Sequence, residues 1–256
     1  MAAEFKQKTV LVTGAGGGIG KATAAAFAAE GADVVVADVD IDRATSAAKS
    51  IGGRALHLDV GDIEKISAAV EFCILPGRRI DVLVNNAAVF DMSPLLEVTP
   101  AGFERLFRIN VDGMFFVMQA VARLMQQDGL GGAIVNMASQ AGRQAEPFSS
   151  VYAATKAAVI SLTRSAAVAL IGSGIRVNAI APGVIETEMW DKIDALYVAQ
   201  HGASPGEKRR QVAAAVPYGR MGSPAEVAAA ILFLASKQSE YIVGQTLNVD
   251  GGNILS

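Results

Sequence analysis

Tyr152 and Lys156 stand four residues apart at the start of a segment rich in Ala, Val and Leu, with no Gly or Pro until Gly172, a pattern that predicts a helix. Positions four apart share one helical face, so the Lys156 ammonium can lie beneath the Tyr152 phenol. A free tyrosine titrates near ~10. A cation held ~4–5 Å away at an effective dielectric of ~20 contributes about 3–4 kcal/mol, roughly two to three pKa units. That would bring Tyr152 towards neutrality, where it can pass a proton to or from a substrate oxygen. Ser139 follows the apolar run Ala133-Ile134-Val135-Asn136, which predicts a buried strand, and can hydrogen-bond the same oxygen. A Tyr-x-x-x-Lys pair alone is commonplace, usually a lysine stem beside a half-buried ring. Its meaning rests on the elements around it.

Those elements begin with Thr9-Val10-Leu11-Val12, a short apolar run ending in Thr13-Gly14-Ala15-Gly16-Gly17-Gly18-Ile19-Gly20, with a predicted helix from Lys21 to Glu30. Strand, glycine loop and helix in that order suit a dinucleotide pyrophosphate, because glycine allows close backbone approach and the helix N-terminus presents unpaired N–H groups. A second run, Asp33 to Ala37, ends in Asp38, eighteen positions after Gly20. A carboxylate there accepts hydrogen bonds from the adenosine ribose hydroxyls and repels a 2′-phosphate. Val39 follows it and the glycine loop carries no Lys or Arg, so NAD is expected over NADP. Further strands are predicted at Ala55–Val60, Ile80–Val84, Ile175–Ile180 and Gln245–Val249, with helices at Ile63–Leu75, Thr99–Gln127 and Pro224–Ala235. Asn110 falls near the middle of the second of these helices. Asparagine competes for backbone groups inside helices, so Asn110 marks either a local distortion that frees a carbonyl or a plain surface position. From Glu188 to Val216 the chain turns more polar and reads as an inserted flap. Regular alternation of strand and helix, without repeat or linker, predicts an α/β fold: a single Rossmann-like, doubly wound, parallel seven-stranded sheet spanning residues 1–256.

Composition excludes several classes. The 256 residues are 52% hydrophobic with a formal net charge of −3, which gives no reason to expect nucleic acid or an anionic membrane as partner. Cys73 is the only cysteine, so no internal disulfide forms, and His57 and His201 are far apart, so no metal site is expected. Met1 to Lys8 has no apolar signal core, and no apolar run is expected to reach a membrane span, pointing to a cytoplasmic protein.

Taken together, these motifs resemble the short-chain dehydrogenase/reductase family from Thr13 to Gly252. The loop Thr13 to Gly20 matches its Thr-Gly-x-x-x-Gly-x-Gly, and Ser139 precedes Tyr152 by the usual thirteen residues. The resemblance implies a catalytic tetrad of Asn110, Ser139, Tyr152 and Lys156. In it, Tyr152 exchanges the proton, Ser139 holds the substrate oxygen and Lys156 also grips the nicotinamide ribose. Asn110 would hold a water that relays protons. It further implies cofactor contacts from Gly14, Gly18, Ile19, Gly20 and Asp38, from Asp59 and Val60 on the adenine side, and from Asn86, Tyr152 and Lys156. Pro182, Gly183, Ile185 and Thr187 would hold the nicotinamide carboxamide. One departure is Ala88, where the family's Asn-Asn-Ala-Gly reads Asn85-Asn86-Ala87-Ala88. Longer stretches, Asn136 to Arg143, Gly206 to Gln211 and Asn248 to Asn253, resemble the bacterial sorbitol (L-iditol 2-) dehydrogenases, which act on polyols. The expected pocket neighbours Gln140, Gln144, Glu146 and Trp190 are mostly polar, which suits a polyol or ketose substrate. A ketoreductase on 3-oxoacyl or other lipophilic ketones would share the tetrad, and a non-catalytic NAD-binding sensor would share the fold. Family members are commonly homotetramers built on the two long helices, here Thr99–Gln127 and Tyr152–Ile171.

Overall fold

The computed structural model describes residues 4–255 other than Cys73, so the expectations for Met1 and Cys73 lie outside the described residues, as does the side chain of His201. Its centre is a parallel sheet ordered β3-β2-β1-β4-β5-β6-β7. The strands are β1 (Thr9–Thr13), β2 (Asp33–Asp38), β3 (Arg54–His57), β4 (Val82–Asn85), β5 (Gly132–Met137), β6 (Ile175–Pro182) and β7 (Thr246–Val249). The helices are α1 (Gly18–Ala29), α2 (Ile41–Ile51), α3 (Ile63–Phe72), α4 (Pro100–Phe107), α5 (Met114–Asp128), α6 (Ser150–Leu170), α7 (Met189–His201), α8 (Glu207–Ala215) and α9 (Pro224–Ala235). Strand order reverses between β1 and β4, and a doubly wound sheet opens its ligand crevice at the carboxyl ends of the strands flanking such a reversal.

Both faces of the sheet are covered, which is why the strands read as unbroken apolar runs instead of alternating ones. Leu11, Val35, Leu83, Ile134 and Val177 belong to one core with α3, α5 and α6. Val12, Val36, Val84, Val135 and Ile180 belong to the other with α1, α2 and α9. The third strand is shorter than the predicted Ala55–Val60: pairing with β2 ends at His57, and Asp59 bends back to accept a hydrogen bond from the Gly61 amide at 2.8 Å.

The predicted helix Thr99–Gln127 is broken. Between α4 and α5, Arg108–Gly113 forms a π-helical segment. Such a turn inserts one extra residue into the helix, shifting its hydrogen-bond ladder, and is frequent at functional sites. Gly113 is where the segment meets the loop after β3, since a Cβ there would stand 2.7 Å from the Val60 carbonyl oxygen. Contrary to the expectation that no apolar run is long enough, the 24 residues Ser150–Ser173 have the length and composition of a membrane span. Within the fold this helix lies against β6 and the π segment, with Thr155, Lys156 and Thr163 buried on its inner face. At the end of α3, Phe72 is exposed while Ile74 just beyond packs on the core.

Asp81, just before β4, anchors the opposite end of the sheet. Its carboxylate accepts from Lys8 Nζ at 3.0 Å, the Thr9 amide at 2.9 Å and Arg79 Nε at 3.0 Å, and the residue is 8% exposed. Removing one member of a buried charged network strands the others. Asp81→Ala is therefore expected to lower stability by about 3 kcal/mol, measured by urea unfolding; a loss within experimental error would show that the network is idle.

Candidate active site

Ser139 lies just past the carboxyl end of β5, and a strand end is what aims its hydroxyl into the crevice. It caps the short turn Gln140–Gly142, Oγ accepting from the Ala141 amide at 3.2 Å, and it hydrogen-bonds the Tyr152 phenol. That turn presses against α6 so closely that a Cβ on Gly142 would be 2.7 Å from the Lys156 carbonyl carbon. Glycine at 142 is thus what lets Ser139 and Tyr152 meet. Tyr152 is half-buried, its ring edge-on to Phe90 at a centroid distance of 4.9 Å. Nothing in the spacing of Phe90 marks it as a wall of the site.

Lys156 is buried and donates from Nζ to the Met137 carbonyl at 2.7 Å, with Nζ 5.7 Å from the Tyr152 ring centroid. The expected depression of the tyrosine pKa does not follow from this arrangement. Burial is the main influence and pushes the Tyr152 phenol up to about 12; the Ser139 hydrogen bond opposes it and the Glu146 carboxylate adds to it. Burial brings Lys156 down to about 8. The physical reason is that sequence spacing places the two groups on one face but says nothing of the desolvation both undergo.

Asn110 is 1% exposed and sits in the π segment, which decides between the two possibilities that its position left open. Its side chain is fully committed: Oδ1 accepts from the Val89 amide at 2.8 Å, and Nδ2 donates to the Val89 carbonyl at 2.8 Å and to Thr155 Oγ1 at 3.2 Å. It thereby ties the π segment to the loop after β4 and to α6, at the residue preceding Lys156.

The glycine loop has the features of a dinucleotide cradle. Gly14 and Gly18 adopt φ of +61° and +53°, and a Cβ on Gly14 would stand 2.7 Å from Ala87 Cα. A Cβ on Gly20 would strike the Gly14 carbonyl oxygen. The N-cap of α1, Gly17, makes no side-chain cap bond and the first turn has no acidic residue, so its N–H groups are presented to an anion. Asn86 secures the loop from β4, donating from Nδ2 to the carbonyls of Thr13 at 3.0 Å and Gly14 at 2.9 Å. Asp38 Oδ2 accepts from the Gly16 amide at 2.8 Å and Oδ1 from the Asp40 amide at 3.0 Å, which fixes the carboxylate beside the glycine loop. The Ala88 departure is harmless in the backbone: Ala88 is exposed and Gln7 is the non-glycine residue with positive φ among the described residues. Asp59 is exposed beside buried Val60 at the end of β3. Pro182 closes β6. Gly183 has no room for a side chain beside Asp250 and Gln140, and Ile185 forms a parallel bridge with Gly222. Thr187 faces Gly18. The residues present therefore fit a nicotinamide dinucleotide.

Of the polar neighbours expected around the substrate, Gln140 accepts from Asn253 Nδ2 at 2.9 Å and Gln144 donates to Glu146 at 2.6 Å. Gln144 is exposed, whereas the Glu146 charge is felt by Tyr152. Trp190 donates its indole N–H to the Ile185 carbonyl at 3.0 Å and so supports the segment after β6. Sequence reasoning missed Asn253 and Arg43; the latter lies across Gly17, and only its place three residues after the helix cap Asp40 could have hinted at it.

A doubly wound sheet with a glycine cradle on one side of the strand reversal and a Ser–Tyr–Lys cluster on the other defines a dinucleotide-dependent oxidoreductase architecture. Residues 14–253 match the family described as enoyl-(acyl carrier protein) reductase. The chain is 51% identical over 251 residues to a sorbitol dehydrogenase of Cereibacter sphaeroides, covering 97% of this chain and 98% of the relative. It is 50% identical over 254 residues to a galactitol 2-dehydrogenase of Agrobacterium fabrum, covering 98% and 99%. A solved short-chain type dehydrogenase/reductase from Mycobacterium marinum superposes with a TM-score of 0.88 at 35% identity, over 100% of this chain and 98% of that one. The chain belongs to the short-chain dehydrogenase/reductase family.

Proposed function

We propose that the protein is an NAD-dependent polyol dehydrogenase, oxidising a secondary hydroxyl of a sugar alcohol such as sorbitol, galactitol or L-iditol to the ketose. The observation that carries this reading is the meeting of Ser139, Tyr152 and buried Lys156 beside the glycine cradle, in a chain half identical to two sugar-alcohol dehydrogenases. Asp38 at the end of β2 supports NAD, since a carboxylate there pairs with ribose hydroxyls and repels a 2′-phosphate. Bound NAD⁺ would supply the hydride acceptor, and the protein supplies position and charge. Tyr152 as phenolate takes the hydroxyl proton, Ser139 donates to the same oxygen, and Lys156 stabilises the phenolate while holding the nicotinamide ribose. Asn110 keeps the π segment and the loop after β4 against α6.

The test is NAD⁺ reduction at alkaline pH with sorbitol, galactitol, xylitol and a secondary aliphatic alcohol in parallel. Turnover confined to the polyols is expected. Turnover on the aliphatic alcohol alone would move the substrate class, and silence on all four would favour an NAD-binding sensor. We further propose a soluble, cytoplasmic homotetramer. Ala157, Ser161 and Ala169 are exposed along α6, and Phe103 and Phe116 are exposed on α4 and α5, faces that a second copy would cover.

A further inference from the structure

Arg43 is the cation nearest to the middle of the glycine loop, and it is not where a helix would choose to put one. It stands in the first turn of α2, whose N-terminal dipole disfavours positive charge. From there the side chain crosses the loop: a Cβ on Gly16 would be 2.8 Å from Arg43 Cβ, and a Cβ on Gly17 would strike Arg43 Nη2. The guanidinium therefore lies over Gly17, the N-cap of α1, where the uncapped amides await an anion. The same nitrogen, Nη2, donates to Glu188 Oε2 at 3.2 Å. Glu188 is the residue from which the flap helix α7 starts. Arg209, the other arginine near this corner, is paired with Asp191 at 3.0 Å and with Glu186 at 4.0 Å. Both partners of the Arg43–Glu188 pair are well exposed, at 52% and 80% of their side-chain surface, so water and salt screen it and it is easily exchanged for another anion.

We propose that Arg43 is a ligand for the cofactor pyrophosphate and that Glu188 competes with that pyrophosphate for it, so that cofactor binding releases the start of the substrate flap. The proposal rests on the nicotinamide dinucleotide reading above. It assigns opposite signs to the two partners. Arg43→Ala removes a charge-assisted hydrogen bond and weakens NAD⁺ binding about tenfold. Glu188→Gln removes the competitor and tightens NAD⁺ binding about threefold, and this gain disappears in the Arg43→Ala background. A pair that served only to pin the flap would shift affinity the same way in both variants.

The experiment is a titration of the purified wild type and the three variants with NAD⁺ and NADP⁺, followed by calorimetry at low and high salt, with no substrate present. Circular dichroism melts confirm that these exposed substitutions leave the fold intact. Arg43→Ala is expected to weaken both dinucleotides alike and to flatten the salt dependence. Unchanged affinity in Arg43→Ala, weaker binding in Glu188→Gln, or a loss confined to NADP⁺ would each overturn the assignment while leaving the cofactor reading intact. Failure of the wild type to bind either dinucleotide would instead remove the cofactor reading and the assignment with it.

Discussion

Tyr152→Phe is expected to lower kcat about 10³-fold on whichever alcohol the wild type oxidises, while NAD⁺ affinity stays within about twofold. A factor of that size corresponds to about 4 kcal/mol of transition-state stabilisation. The substitution removes one oxygen and keeps the ring, so the edge-on packing against Phe90 survives and the site does not collapse. What disappears is the oxygen that Ser139 hydrogen-bonds, the group proposed above to accept the substrate proton. The measurement is steady-state turnover set beside a calorimetric NAD⁺ titration. Near-normal turnover would remove Tyr152 from the chemistry, and lost turnover with equally lost cofactor affinity would make its role one of binding.

The second large effect concerns Lys156 and pH. Burial holds the Tyr152 phenol near 12, so at neutral pH almost all of it is protonated, and oxidation, which needs the phenolate, gains with every rise in pH. Lys156, brought down to about 8, keeps its charge below that value and loses it above. Alcohol oxidation should therefore climb about tenfold per pH unit from about pH 6 towards about pH 8, then bend to a shallower slope as the cation that favours the phenolate disappears. Lys156→Met should lower the neutral-pH rate about a hundredfold and straighten the profile, because no charge remains to be lost. It also leaves the Met137 carbonyl without its buried donor, at a cost of about 1–3 kcal/mol, so a melt must show the variant folded at the assay temperature. Ketone reduction, which needs the phenol, should stay level over the same range. An oxidation rate independent of pH between about pH 6 and about pH 8 would mean that the phenolate is already formed and that the burial argument is wrong.

Much of the fold was legible along the chain because parallel strands buried on both faces are short continuous apolar runs, and glycine loops punctuate them. The runs at Thr9, Asp33, Ala133 and Ile175 each became a strand within a residue or two of the expected ends. The third strand was overextended, since Leu58 and Val60 are buried and apolar like strand residues yet belong to a turn fixed by Asp59. The helix Thr99–Gln127 was read as continuous because one inserted residue is a small interruption in a long helical pattern; the buried pairing of Asn110 with Val89 and Thr155 is what marks it.

The residue types of the site and the order of the elements that carry them follow from the sequence alone, because periodicity and turn chemistry are local. Only the folded chain brings Ser139 to Tyr152, buries Tyr152 and Lys156 so that both move away from their ordinary titration, and carries Arg43 across the glycine loop to Glu188. Those quantities depend on distance and desolvation between segments remote in the chain, which no local pattern encodes.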